Sequence, residues 1–213
     1  FSSCRACKLK IKMNFNYLSK KKILVVGLGV SGFSIALKLK YHKFNIISWD
    51  DDPLIRENAK KSGLKVVELD LINFDTLDYL ILSPGIPHLP PDGHISAILA
   101  KKHNCKIITD IELISFLKNK KNLIGIIGTN GKSTTTMLIE CILKNKGIDV
   151  DACGNIGKPF TDLKFKSTKK ALIVEASSYQ LERVENLKFN LAVLLNISSD
   201  HIERHKSIKE YIK

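Results

Sequence analysis

Residues 126–136 read IIGTNGKSTTT. An apolar run stops at Gly128 and gives way to small, amide and hydroxyl side chains around a single lysine. A strand ending in such a turn, followed by a helix, gathers successive backbone N–H groups near the positive end of the helix dipole. Gly128 and Gly131 permit the positive φ that the turn needs. Lys132 adds a mobile point charge suited to β- and γ-phosphates, and the hydroxyl of Ser133 or Thr134 can reach Mg²⁺. With Thr129 and Asn130 these residues form a candidate triphosphate cradle. The stretch departs from G-x-x-x-x-G-K-[ST], because Ile126 stands at the first glycine position. The bland alternative is a glycine-rich helix cap. Thr134–Thr136 are poor helix formers, which favours a functional reason for the run.

A second glycine cluster, GLGVSG, places Gly27, Gly29 and Gly32 after an apolar run, and Asp50 follows Gly32 by 18 residues. That spacing fits the dinucleotide fingerprint, although the same geometry serves any nucleotide whose diphosphate meets a helix N-terminus. SPGIP at 83–87 is another strand-end turn. Three later clusters also follow strand ends: GNIG (154–157) with Asn155, EASSYQL with Glu175 and Ser177, and LNISSDHIERH with Asn196, Asp200, His201 and His205. A carboxylate at a strand end beside a phosphate loop can hold Mg²⁺ directly or through water. A histidine just past the next strand is a candidate ligand or substrate contact. Each is more often a cap or a solvated side chain when alone. Together at one sheet edge they point to phosphoryl transfer.

The elements that must position these residues follow from hydrophobic patterning. KILVVGLG, FNIISWD, DYLILSPG, CKIITD, NLIGIIG, ALIVEAS and NLAVLLN read as strands. Helices are expected at 30–41, from Asp52 onward, at 92–103, 111–118 and 132–146. Continuous apolar strands joined by helices imply parallel sheets covered on both faces. The fold class expected is α/β: a Rossmann-like N-terminal domain at 14–120, then a P-loop-type doubly wound domain at 121–213. The polar LKNKKN marks the boundary. The second domain supplies about three clear strands where a doubly wound sheet usually has ~5–6, so it reads as cut short. Residues 1–13 lack periodicity and read as a disordered or non-native leader.

Composition narrows the partners. The 213 residues carry a formal net charge of +13. The cations are nearly all lysine, whereas Arg5, Arg56, Arg183 and Arg204 are scattered. Bidentate readers of bases and phosphates favour arginine, so a lysine-rich solvated surface is expected and no nucleic-acid partner. Cys4 and Cys7 form a lone CxxC without a second pair, and Cys105, Cys141 and Cys153 read as reduced cytosolic thiols. No apolar run approaches the ~20 residues of a membrane helix. A cytoplasmic monomer without a membrane partner is expected.

GTNGKST, GNIGKP, EASSYQL and LLNISSDHIERH, in this order, resemble the Mur ligases, the ATP-dependent amide-forming enzymes of peptidoglycan synthesis. GLGVSG, SPGIP and TDIEL (109–113) resemble the D-glutamate-adding branch. The resemblance runs from about Asn14 to Lys213. It implies UDP-N-acetylmuramoyl-L-alanine and D-glutamate as substrates, ATP and Mg²⁺ as cofactors, and an acyl-phosphate intermediate that the amine attacks. It further implies that Lys132 and the Gly128–Ser133 amides hold the ATP phosphates, that Ser133 and Glu175 serve one Mg²⁺, and that His201, with Asp200 close by, serves a second. Lys132, Glu175 and His201 are then the catalytic set. Asn155, Ser177 and His201 would contact the UDP-sugar peptide. Val30, Ser31 and Gly32, with Asp50 and Gly85 nearby, would hold uridine diphosphate.

Two parts that the resemblance implies are not in the sequence: a carbamylated lysine expected just past Lys213, and a third domain that closes on ATP. The chain is therefore expected to be about half of such an enzyme, to bind UDP-sugar weakly without turnover, and to expose a sheet edge. Other readings stay open. They are another amide ligase of the same family, a nicotinamide-dependent oxidoreductase resting on GLGVSG and Asp50, a P-loop kinase or regulatory NTPase, and a non-catalytic nucleotide-binding module.

Overall fold

A computed structural model describes residues 18, 20–116, 122–155, 170–199, 202–205 and 207–212. The leader, the LKNKKN boundary up to Lys121, Asp200 and His201 lie outside these. The described residues fall into two units, one running to Phe116 and taking in Arg183–Leu187, the other holding the rest from Asn122 onward.

In the first unit, β1 (Lys22–Val26), β2 (Asn45–Trp49), β3 (Tyr79–Leu82) and β4 (Lys106–Ile108) form one sheet in the order β2-β1-β3-β4. All three pairings are parallel. The crossovers are α1 (Val30–Tyr41), α2 (Pro53–Lys61) and α3 (Ile95–Lys102). Leu24, Val26, Ile47, Trp49, Leu80 and Leu82 pack with Ala97 and Ala100 of α3 on one face. The intervening Ile23, Val25 and Ile81 are also buried. Burial on both faces is why these strands read as unbroken apolar runs. Asp52 caps α2 by accepting from the Leu54 amide, and Pro53 opens the helix; the Asp-Pro pair signals this start. The TDIEL stretch forms a 3₁₀ helix, Asp110–Phe116.

The second unit contains β5 (Leu123–Ile127), α4 (Lys132–Asn145), β6 (Val150–Gly154), β7 (Ala171–Glu175), α5 (Ser178–Leu181), β8 (Leu191–Leu194), α6 (Ile202–His205) and α7 (Ile208–Ile212). Its sheet is parallel in the order β6-β7-β5-β8. β6 is a fourth strand that the hydrophobic pattern did not mark. VDACG carries an acid and a glycine, and its strand character comes from pairing Val150–Gly154 with Ala171–Glu175. At the other side of the sheet, Leu191 and Leu194 of β8 are more than half exposed.

Two contacts set how the first unit closes around its glycine loop. A Cβ on Gly32 would stand 1.9 Å from the Gly27 carbonyl oxygen, so only glycine lets α1 meet the turn. At the opposite end of β1, Asp78 accepts from the Lys22 amide at 2.8 Å and from Lys21 Nζ at 2.7 Å. Burial is the largest influence on the Asp78 carboxyl and pushes it up, but these donors and the Lys21 charge outweigh it and hold it below the usual range.

Gly32→Ala is expected to destabilise the first unit by about 2 kcal/mol or more, because backbone must move. Urea melts followed by the fluorescence of Trp49, the single tryptophan, measure this. For Asp78, a folded pKa below the unfolded ~3.9 means stability present at neutral pH and lost as pH falls through the folded value. Asp78→Asn should therefore be less stable than the unsubstituted chain at pH 7, with the gap closing as the pH drops below about 4. Parallel stability curves across pH 2–7 would contradict it.

Candidate functional site

Parallel strands bring their C-terminal ends to one edge, and in the second unit the chemistry-bearing residues follow those ends. The β5–β7 pairing sets Ile126 beside Glu175, and β6–β7 sets Gly154 beside the same residue. Gly128, φ 147°, begins the turn after β5, and Gly131, in the left-handed region at φ 82°, is the N-cap of α4. A strand, a glycine turn and a helix thus occur here as the sequence pattern requires.

Asn196, just past β8, holds the turn in shape. Its main-chain oxygen accepts from the Thr129 amide, its Oδ1 from the Asn130 amide, and its Nδ2 donates to the Asn130 oxygen. Thr129 is buried, with Oγ1 bonded to the Ser198 amide and the Tyr211 hydroxyl, both at 3.0 Å. The amides of Thr129 and Asn130 are therefore engaged. Those of Gly131, Lys132, Ser133 and Thr134 have no hydrogen bond to a described residue. They are the donors left for an anion: three lie within the expected 128–133 run and Thr134 is one residue beyond it. Lys132 Nζ folds back onto the Gly128 and Thr129 carbonyls at 2.8 and 2.7 Å.

Glu175 is 1% exposed. Its Oε1 accepts from Asn155 Nδ2 at 3.1 Å and Ser133 Oγ at 3.3 Å, while Oε2 is buried without a partner among the described residues. A bare carboxylate oxygen in a buried setting is costly unless a counter-charge meets it. The oxygen-donor set of Ser133 and Glu175 suits a hard divalent cation. Gly154, φ 107°, makes the close approach possible, since a Cβ there would lie 2.2 Å from the Glu175 carbonyl oxygen. The Asn155 amide bonds that same oxygen.

Other expected residues hold structural positions. Ser177 is the N-cap of α5 and forms a capping box with Gln180, whose Oε1 accepts from the Ser177 amide. The S-x-x-Q spacing carries that signal. His205 is buried, bonded to Ser178 Oγ at 3.0 Å, paired with Glu182 and stacked on Tyr179. Ile127, Ser178, Leu181, Leu194, His205 and Tyr211 are among the residues lining a cavity of about 370 Å³. Among the described residues no three His, Cys, Asp or Glu converge as a metal cluster.

In the first unit, Gly29 caps α1 and Val30 is 82% exposed at its first turn, followed by Ser31 and the buried Gly32. Asp50 does not leave its carboxylate wholly to a ligand: Oδ2 accepts from the Leu28 amide at 2.6 Å and Oδ1 from the Asp52 amide at 2.9 Å. It shapes the glycine loop. Gly85 is exposed, and Ser83 packs on Gly27, where a Cβ would come within 2.6 Å of the Ser83 Cβ.

Sequence comparison gives this geometry its relatives. Residues 126–213 match the Mur ligase middle domain. The chain is 37% identical over 195 residues to the UDP-N-acetylmuramoylalanine--D-glutamate ligase of Paramagnetospirillum magneticum, covering 92% of this chain and 43% of that protein. It is 40% identical over 199 residues to the enzyme of the same name from Rickettsia felis, covering 92% and 43%. The chain thus spans about two-fifths of the length of these curated relatives. Among solved structures, the UDP-N-acetylmuramate-alanine ligase of Thermotoga maritima shares the fold at 19% identity and a TM-score of 0.55, over 90% of this chain and 45% of that one. The UDP-N-acetylmuramate:L-alanyl-gamma-D-glutamyl-meso-diaminopimelate ligase of Neisseria meningitides does so at 20% identity and 0.53, over 90% and 65%. Residues 126–213 thus match the middle domain of the Mur ligases, and over 195–199 residues the chain is similar to members of that family at 37–40% identity.

Proposed function

We propose that this chain supplies the UDP-sugar-binding and ATP-phosphate-binding parts of a cytoplasmic ligase that adds D-glutamate to UDP-N-acetylmuramoyl-L-alanine. The choice of substrates rests on the relatives' names and on GLGVSG, SPGIP and TDIEL. No helix among the described residues is long and apolar enough to cross a membrane. The observation that carries the phosphoryl-transfer reading is the buried, half-partnered Glu175 beside Ser133 at the mouth of the glycine turn.

A carboxylate is a poor acyl donor, and transfer of a phosphoryl group to it needs in-line positioning and charge neutralisation more than covalent help from the protein. Glu175 and Ser133 would hold Mg²⁺, which would supply that neutralisation when bound. The amides of Gly131–Thr134 orient the phosphate chain. Lys132, released from the Gly128 and Thr129 carbonyls, adds a charge-assisted contact. Asn155 fixes the Glu175 carboxylate by holding Oε1, which leaves Oε2 for the cation. His201 completes the proposed set as a ligand for a second Mg²⁺. In the first unit, Val30, Ser31, Gly32 and Gly85 take the uridine diphosphate, with Asp50 stabilising the loop between them.

Titration calorimetry of the chain tests this. ATP binding is expected to require Mg²⁺. Glu175→Gln keeps the shape, removes the charge, and should weaken Mg²⁺–ATP binding by about tenfold or more. Lys132→Met should weaken it similarly, and both variants should bind UDP as the unsubstituted chain does. Equal ATP affinity with and without Mg²⁺, or a nicotinamide cofactor bound in place of UDP, would overturn the assignment.

A further inference from the structure

Two motifs remain without a role in the chemistry above: TDIEL, and the Arg183 that ends EASSYQLER. The structure brings both to the segment Arg183–Leu187, which belongs to the first unit. Glu112 is 1% exposed. Its carboxylate accepts from the amides of Glu185, Asn186 and Leu187 at 3.1, 2.9 and 3.3 Å, and from Asn186 Nδ2 at 3.1 Å. Arg183 is 4% exposed and donates to the carbonyls of Leu82, Ser83 and Pro84 at 3.1, 3.4 and 3.2 Å. A buried carboxylate gathers amides, and the guanidinium at the head of the same segment gathers carbonyls.

The Leu82 carbonyl ends β3, and those of Ser83 and Pro84 belong to the turn Ser83–Ile86, closed by the Ile86 amide on the Ser83 oxygen at 3.0 Å. Proline followed by glycine at the two central positions is the sequence of a type II turn, which requires positive φ at the glycine. Gly85 does not have positive φ. Without it the turn is of type I, which differs from type II by a flip of about half a revolution in the central peptide. Here the central peptide has its Pro84 oxygen on Arg183. In a trans peptide C=O and N–H point in opposite directions. The Gly85 N–H is therefore turned away from Arg183, in an exposed residue, without a described partner.

We propose that Arg183, anchored through Glu112, is a positioning residue for nucleoside diphosphate binding: it selects the peptide orientation that presents the Gly85 N–H as a donor to an oxygen of the UDP moiety. This rests on the reading of the first unit as the UDP site. The contact to Ser83 extends the effect to Gly27, against which Ser83 packs. A methionine in place of Arg183 fills similar volume but offers no N–H, so the Pro-Gly preference takes over and the donor swings inward.

The test is UDP titration of the chain and its Arg183→Met, Arg183→Lys and Gly85→Pro variants, with ¹⁵N resonances and scalar couplings of Gly85 followed in parallel. Arg183→Met should weaken UDP by about tenfold, the scale of one charge-assisted or well-aimed hydrogen bond. The Gly85 couplings should then report positive φ, while Mg²⁺–ATP affinity stays within about twofold. Arg183→Lys, which keeps several donors, should restore part of the loss. Gly85→Pro deletes the N–H and, because it disfavours the αR conformation of Pro84, also disturbs the turn, so it should lose at least as much as Arg183→Met. UDP bound by Arg183→Met within about twofold of the unsubstituted chain overturns the proposal. Should Arg183→Met not fold, undiminished UDP binding by Gly85→Pro overturns it. Absence of UDP binding by the unsubstituted chain overturns the UDP reading beneath it, a result distinct from the other two.

Discussion

The second unit depends on one electrostatic constraint, a buried carboxylate with a single oxygen satisfied. Glu175 reaches its place by register: β7 lies between β5 and β6, so its last residue sits beside Ile126 and Gly154. An anion brought to the amides of Gly131–Thr134 would repel Glu175 unless a cation stood between them. Anion and cation binding are therefore coupled: whatever free energy one contributes to the other's affinity is returned in full.

The same turn shows how its shape is separated from its ligand contacts. Asn196 behaves as an extra piece of backbone, matching one donor and one acceptor of Asn130 with its side-chain amide while its own carbonyl takes the Thr129 amide. Thr129 is held from the far side by Ser198 and Tyr211. The loop is thus organised without a ligand, so less ordering entropy would oppose the proposed phosphate binding. Lys132 rests on two neutral carbonyls. Phosphate oxygens carry charge and accept more strongly, so the ammonium gains by exchanging one set of acceptors for the other.

The sequence made the strands legible wherever both faces are buried, because an unbroken apolar run of that length between turn residues suits little but a covered strand. β6 escaped, since Asp151 and Gly154 interrupt its pattern and its partner, β7, supplies the missing information. The functional stations were legible as types and less so as roles. Asp50 fits the spacing of a ribose acid, yet its oxygens cap the amides of Leu28 and Asp52. Ser177, a substrate contact by resemblance, is also the N-cap of a short helix, a role that S-x-x-Q signals once the helix is known to begin there. His205 sits in a sequence rich in ligand types and is packed between Tyr179 and Tyr211. Glu112 stands in TDIEL, whose pattern gave no role, and Arg183 follows EASSYQL with no pattern of its own. Their partners lie about 70–100 positions away, and only the folded chain brings them within hydrogen-bond reach.

Their energetics explain why such an arrangement does work that apolar packing cannot. Removing an ionised group from water costs several kcal/mol even after relaxation, about the same order as its recovered hydrogen bonds. A hydrophobic residue of equal volume would serve stability as well or better. What it could not do is impose direction. Dispersion forces between a methionine and the Pro84–Gly85 peptide are nearly indifferent to which way the carbonyl faces. A planar guanidinium with fixed N–H vectors is not. The buried cation thus converts a two-way turn into a one-way turn, and the carboxylate of Glu112 holds the segment that delivers it. A site built on backbone amides needs this kind of support, because an amide has no side chain through which packing can aim it.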